Sequence, residues 1–505
     1  MCREFFDRRR EGVEEIFEDL IIRSQPHWQA HRGRYPVLML TFKDAKALNW
    51  KTCREAIFSK VDALFSEHQR SIAHLDFENY DRSLYERFAH MQATEQDRRE
   101  LPLYLCKWLQ QATGEPVVLL IDEYDTPIHS AWDGGYYDEM IDFMRAFLSS
   151  ACKDNPHVFR AVITGILRVA KESIFSGMNN LGVYTIDSHL MRSAFGFTEP
   201  EVQELLKLKG LDEHLSTVRH WYNGYHFGPE RTVIYNPWSV LNYVSKPIDG
   251  PKPYWVNTSS NELIENLITR QGRELSEELD SLIHHESVFK AVEDCVSMRD
   301  IAARPELAWS LLYHSGYLRC DDLGPAGHMR TLRAPNEEIQ QVYRQCVLRW
   351  FGSRMRGDRP IENMAMALLV GDGRLFERML CKILEEVLSH HDVAGEPEKV
   401  YHALFLGLLV WLDPWFQIRS NRESGYGRYD LALYPKDKTQ HGWVIEFKRA
   451  EEAWGETLES MVADAMDQMK AKNYAADIRA QGCAGLSLVG IAFKGKDHLM
   501  RMEKI

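Results

Sequence analysis

The sequence predicts an α/β protein with a separate α/β segment at its C-terminal end. Three observations carry this. The first two hundred residues alternate short, continuous apolar runs with helical periodicities. The stretch from about 195 to 390 is mostly helical in pattern. After Gly395-Glu-Pro the chain reads helix, strand, strand, helix, strand. Continuous apolar strands between helices indicate a parallel sheet covered on both faces. At roughly 100–200 residues per domain, the chain length allows two to four domains.

Each element has its own signal. Pro36 to Phe42 is an apolar run bounded by Arg32-Gly-Arg34 and a charged turn, which suits a buried strand. Helical patterns follow from Trp50 to about Glu67 and from Gln96 to Thr113, and Gly114 breaks the second. Val117 to Glu123 is the next strand, helix Asp138–Ser150 follows, and Val158 to Thr164 is the third strand. From Phe195 the character changes. Thr198-Glu-Pro-Glu201 is a capping box opening a helix through Leu206. Asn223-Gly224 marks a turn, Asn236-Pro237 starts a helix, and Tyr317–Cys320 with Arg330–Leu332 suggest a hairpin.

Composition narrows the function classes. The 505 residues carry 61 Lys+Arg against 74 Asp+Glu, a formal charge of −13, which argues against a generally basic nucleic-acid coat. The charge is uneven: from Glu396 onward there are 15 Lys/Arg against 16 Asp/Glu, so the first 395 residues carry −12. The nine cysteines form no C-x-x-C and no zinc-ligand spacing, and read as residues of a reducing compartment. No apolar run reaches the roughly 18–20 residues of a membrane span, and the opening residues lack a secretory apolar segment. A soluble, cytoplasmic protein is expected.

The first chemical constellation is Ile121-Asp122-Glu123-Tyr-Asp125, a buried strand ending in carboxylates. Ligands of α/β sheets sit at the carboxyl ends of strands. There, one Asp can approach Mg²⁺ and the next Glu can polarise an attacking water. Thr164, ending the third strand, could sense a γ-phosphate. Solvated turn residues are the competing reading. An ATPase also needs G-x-x-x-x-G-K-[ST], and the one near match, Gly490 to Asp497, lacks the hydroxyl and reads as a strand and turn.

The segments Ile121–Asp125, Thr164-Gly-Ile-Leu-Arg168, Ser173–Asn180, Trp221-Tyr-Asn-Gly-Tyr225 and Tyr235-Asn-Pro-Trp-Ser239 resemble bacterial and archaeal AAA-ATPase-like proteins with a C-terminal PD-(D/E)XK nuclease-like domain. The resemblance covers nearly the whole chain. It implies a P-loop-ATPase-like parallel sheet over 1–195, a mostly helical middle over 196–390 with a winged-helix-like fold as one option, and a restriction-endonuclease-like α/β domain over 395–505. In the family, a strand and phosphate-binding loop precede a helix resembling Met1–Phe6, where this sequence starts. The first domain is therefore expected to be truncated, and Asp122, Glu123, Asp125 and Thr164 to be a nucleotide-binding remnant. ATP–Mg would belong to a longer form.

The second constellation is Asp430 with Glu446 and Lys448, spaced D-x₁₅-E-x-K across a polar turn from Pro435 to Gly442. Strand side chains alternate, so Glu446 and Lys448 share a face while Phe447 points into a core. A hairpin turn brings Asp430 alongside. Two carboxylates can bind Mg²⁺ or Mn²⁺, with the Phe447 carbonyl as a further donor, for phosphodiester hydrolysis. Lys448 can orient water or neutralise developing charge. A surface hairpin with a Glu–Lys pair is the competing reading. Gln468 and Tyr474, on the following helix, resemble the additional motif of exonuclease-like members of the PD-(D/E)XK group. Arg419, Arg422, Arg428 and Arg449 flank the site and could hold backbone phosphates, or be solvated loop residues. Glu398 is a weaker candidate acid, and His402 reads as a core histidine.

The expected function is metal-dependent hydrolysis of nucleic acid, with DNA as partner by resemblance, beside an inactive ATPase-like regulatory domain. The alternatives are a non-catalytic protein-binding scaffold and an ATP-dependent nuclease with a truncated start. No membrane partner is expected, and self-assembly remains an option because ATPase-like domains often assemble.

Overall fold

The computed structural model describes residues 1–10, 12, 14–166, 174, 181–255, 276–283, 285–323, 328–352, 359–389, 410, 412, 415–421, 430–450, 455–471, 482–494 and 497–505. Within these ranges some side chains, including those of Arg419, Asp430 and Arg449, lie outside the description. Two compact units result. The first comprises 1–195, 225–232 and 289–332, and the second 196–224, 233–288 and 333–505.

The first unit is built on three parallel strands, β1 (Val37–Thr41), β2 (Val117–Asp122) and β3 (Val158–Ile163), in the order β1-β2-β3. The register runs from Val37↔Val118 to Thr41↔Asp122 on one side of β2, and from Val118↔Arg160 to Ile121↔Ile163 on the other. The first five residues of β2 are buried, as a central parallel strand requires. The expectation of burial on both faces fails at β3. That strand stands at the sheet edge among the described residues, and Val162 is 45% exposed.

Helices α1 (Cys2–Phe6), α2 (Trp28–His31), α3 (Trp50–Ile72), α4 (Asn79–Ala89), α5 (Glu95–Thr113), α6 (Thr126–Gly134) and α7 (Tyr137–Cys152) surround this sheet. Asn49 caps α3 by accepting from the Thr52 N–H at 3.0 Å, and α3 continues past Glu67 because His68 and Ile72 are buried. The Thr94–Asp97 capping box starts α5, and Gly114, at φ 73°, ends it. After a short strand pair, β4 (Tyr225–Phe227) and β5 (Thr232–Ile234), the anticipated hairpin forms as β7 (Arg319–Leu323) and β8 (Met329–Arg333), joined by β6 (Val288–Ala291) in the order β6-β8-β7. Asp187 ties residues far apart in sequence together within this unit: it accepts from Arg330 at 2.8 and 2.9 Å and from Tyr313 at 2.6 Å.

In the second unit, Thr198 and Glu201 form the anticipated capping box of α8 (Glu199–Leu208), and Asn236 caps α10 (Pro237–Ser245). Helix α9 (Leu215–Tyr222) packs with them around Val202, Val218, Tyr222 and Tyr243. The C-terminal sheet has the order β13-β12-β11-β10-β9: β9 (Phe416–Asn421), β10 (Asp430–Pro435), β11 (His441–Arg449), β12 (Gly485–Lys494) and β13 (Asp497–Lys504). All pairs are antiparallel except β11–β12. A parallel pair needs a crossover, and helix α11 (Leu458–Ala471) lies in that connection. Sequence alternation foresees β10, β11 and β12 but omits β9 and β13.

The two faces of this sheet differ. Leu431, Trp443, Ile445, Phe447 and Val489 face a core completed by Met364, Leu368 and Phe376. Ala432, Val444 and Leu488 face Met466 and Met469 of α11. Trp443 is fully buried and donates its indole N–H to the Leu368 carbonyl at 2.8 Å, so it is a core residue. Among the described residues, no helix is long and apolar enough to cross a membrane.

Candidate functional site

The hairpin of β10 and β11 sets Asp430 directly opposite Glu446 in the antiparallel register. Two-residue periodicity then assigns the faces. Phe447 joins the apolar core on one side, while Val444 packs toward α11 on the other. Glu446 and Lys448 share Val444's parity and therefore its face. Glu446 is 1% exposed, and neither carboxylate oxygen has a hydrogen-bond partner among the described residues. Its cationic neighbour is Lys448, whose Nζ stands 3.3 Å from Glu446 Oε1 and donates to Gln468 Oε1 on α11.

A buried carboxylate without hydrogen-bond donors is costly unless something compensates it. A hard divalent cation with oxygen ligands would do so. The residues present thus fit Mg²⁺ or Mn²⁺: Glu446 supplies two oxygens that accept no hydrogen bond, one of them beside Lys448, and the Asp430 backbone stands opposite. Among the described residues, no group of three or more His, Cys, Asp or Glu side chains is arranged to hold a metal.

The other residues foreseen for this site divide by position. Gln468 reaches Lys448. Arg419 lies on β9 opposite Ala432, and Arg449 ends β11 opposite Phe493. Tyr474, Arg422, Arg428, Glu398 and His402 lie outside the described residues. Of the near match to a phosphate loop, Gly490 to Lys494 lie on β12 and Asp497 opens β13, while Gly495 and Lys496 lie outside the described residues.

The structure also brings together all four residues foreseen at the N-terminal sheet. Asp122 ends β2 and accepts from the Thr164 hydroxyl beyond β3. Glu123 has φ 52°, a left-handed conformation that non-glycine residues seldom adopt, and accepts from the Thr126 hydroxyl at 3.2 Å. Asp125 is 1% exposed, accepts from the Ile166 N–H at 2.7 Å and lies 3.4 Å from His129 Nε2. A Cβ at Gly165 would come within 2.6 Å of the Tyr124 ring and 2.8 Å of Asp125 Oδ1, so this approach requires glycine. Sequence reasoning omits Gly165 and His129. The Asp125–His129 spacing of four residues at a helix start was the available signal.

The chain thus combines a parallel sheet whose central strand ends in acids with a mixed sheet in which Asp430 pairs with Glu446 and Lys448 lies two residues on, two separate α/β folds. Comparison with known proteins agrees. Residues 1–175 match the family described as predicted AAA-ATPase, and residues 396–503 match the PD-(D/E)XK nuclease superfamily. The chain carries an AAA-ATPase-like domain at its N-terminal end and a PD-(D/E)XK nuclease superfamily domain at its C-terminal end. It is 26% identical over 500 residues to a protein of Azotobacter chroococcum mcd 1, described as an uncharacterized protein in the vnfD 5' region; the match covers 95% of this chain and 85% of that one. No solved structure matches.

Proposed function

We propose that the C-terminal domain hydrolyses phosphodiester bonds of DNA with Mg²⁺ or Mn²⁺, and that the ATPase-like domain regulates it without turning over ATP. The observation that carries this reading is Glu446: fully buried, in register with Asp430, and without a hydrogen-bond donor on either oxygen. A bound divalent cation supplies Lewis-acid polarisation of the phosphate and acidifies water. The chain's own residues do the rest. Asp430 and Glu446 would hold the cation. Lys448 presents its ammonium beside Glu446, where it neutralises charge developing on the phosphate. Gln468 fixes the lysine head, and the resemblance pairs it with Tyr474 in the additional motif. Arg419, Arg422, Arg428 and Arg449 hold backbone phosphates.

The test is cleavage of single-stranded, duplex and branched DNA, and of matching RNA, with and without Mg²⁺ or Mn²⁺. Metal-dependent DNA cleavage that disappears in Asp430→Ala, Glu446→Ala and Lys448→Ala proteins is expected. Equal cleavage by wild type and these variants removes the site.

The regulatory half of the proposal is supported by sequence. The near match to a phosphate loop within these residues begins on β12 and ends on β13, remote in the chain from Asp122. The expected result is ATP hydrolysis at background, unchanged by Asp122→Ala. Turnover that Asp122→Ala abolishes overturns this half alone. The reading divides the chain into 1–195, 196–390 and 395–505 and places it in a prokaryotic cytoplasm, consistent with nine free cysteines.

A further inference from the structure

Helix α11 packs on the sheet face that carries Glu446 and Lys448, and the strand beside them is small-sided at the matching positions. Across the parallel β11–β12 ladder, Glu446 pairs with Gly490 and Lys448 with Ala492. Register partners on neighbouring strands share a face, so the open side of Gly490 looks toward α11. A Cβ built there would stand 3.2 Å from each of Ala465 Cβ, Met466 Sδ and the Val462 carbonyl oxygen. Two of these atoms belong to the helix backbone or its first side-chain carbon and cannot swing aside. The Gly490 backbone lies outside the left-handed region, so glycine is needed here for its missing side chain.

We propose that Gly490 is a positioning residue of the site: its bare backbone lets α11 settle onto the sheet, and this seating holds Gln468 against Lys448. Gln468 lies within one turn of Ala465 on the same helix, so displacement of the helix at Gly490 carries Gln468 with it. Lys448 is the element that feels the change, because its ammonium is held between Glu446 Oε1 and Gln468 Oε1. The inference rests on the nuclease reading only in calling this the site; the mechanical coupling from Gly490 through Gln468 to Lys448 stands apart from activity.

The experiment is a double-mutant cycle of Gly490→Ala and Gln468→Ala in the full chain, read by an amine-acylating reagent and mass spectrometry of Lys448. The exposed Lys209 serves as internal reference. The expected result is that either substitution accelerates Lys448 labelling, and that the double variant is labelled no faster than Gln468→Ala alone. In parallel, kcat for DNA cleavage falls by roughly tenfold in Gly490→Ala with KM little changed, as expected for a small displacement in a positioned site. Lys448 labelling at the wild-type rate in folded Gly490→Ala, or effects that multiply in the double variant, overturns the proposal. Should Gly490→Ala fail to fold, Gly490→Ala/Ala465→Gly removes one of the two fixed contacts and leaves the Val462 carbonyl, and a folded protein whose Lys448 is labelled as fast as in Gln468→Ala is equally fatal. An intact labelling cycle in a protein that cleaves nothing would sink the nuclease reading while leaving the positioning role in place.

Discussion

The acids of the N-terminal sheet and the acid of the C-terminal sheet are treated oppositely by their surroundings. At the end of β2, Asp122, Glu123 and Asp125 all accept hydrogen bonds from their own chain, from Thr164, Thr126 and the Ile166 N–H. At the centre of β11, Glu446 is as deeply buried as Asp125, yet its oxygens accept none among the described residues. Satisfied acids fix a loop. An unsatisfied buried acid is a local defect that folding tolerates where a ligand completes it. The contrast separates a region whose polar groups serve its own structure from one whose polar group is incomplete without a partner.

The strongest way to break the comparison is Glu446→Gln. The change is isosteric and removes a buried charge. Cleavage is expected to fall by on the order of 10²-fold or more, since a charged group acting on the transition state is lost. The melting temperature without metal is expected to change little, because Gln keeps the shape, one charge of a buried ion pair is removed, and Lys448 keeps its bond to Gln468. A clear drop in melting temperature would show that Glu446 is structural, and the contrast with Asp125 would collapse.

Each unit also holds a buried titratable group, and the two respond to pH with opposite sign. In the first unit, both ring nitrogens of His68 lack hydrogen-bond partners among the described residues; burial first, and then the Arg9 charge, push its pKa down to about 4. The unfolded chain therefore binds a proton at this group below about pH 6.5 that the folded chain refuses until about 4. Stability of that unit falls as pH drops through this window, by about 3 kcal/mol in total. In the second unit, burial raises Glu338 to about 7, against the hydrogen bonds it accepts from the Trp255 N–H and the Ser239 hydroxyl. Here the folded state holds a proton that the unfolded state releases, so stability is fully present below about 4.5 and declines as pH rises toward 7, by a similar amount. Denaturant titrations between pH 4 and 7.5 should show the two slopes, the first abolished by His68→Leu and the second by Glu338→Gln. Slopes of the same sign in both variants would contradict the burial of one group.

The strand pair that carries the site is legible in sequence because two-residue alternation assigns both its faces: Trp443, Ile445 and Phe447 to the core, Glu446 and Lys448 opposite. Strands β9 and β13 are not legible. Gln417, Arg419 and Asn421 interrupt one, and Asp497, Arg501, Glu503 and Lys504 the other, so neither offers an apolar run. Gln468 is legible only through resemblance. Its placement depends on where α11 sits on the sheet, which close approach at Gly490 decides and helical periodicity does not. The inclusion of 289–332 in the first unit is likewise hidden, because Asp187 meets Tyr313 and Arg330 across more than a hundred residues.

The smallest effect sharpens the other side of the comparison. If Asp125 serves structure, Asp125→Ala removes the acceptor of the Ile166 N–H and leaves that donor without its partner. The cost expected for such a loss is about 1–3 kcal/mol, measurable as a reduced denaturation midpoint. The same variant should leave metal-dependent cleavage by the C-terminal domain within about twofold of wild type, since surface and loop changes away from a site act mainly on stability. The cost arises because Asp125 has a hydrogen-bond donor to strand, whereas Glu446 accepts no hydrogen bond among the described residues and its ion-pair partner Lys448 keeps its bond to Gln468. An Asp125→Ala protein as stable as wild type would mean that the hydrogen bond to Ile166 contributes nothing. The acids of the first unit would then be as free to serve a ligand as Glu446 is.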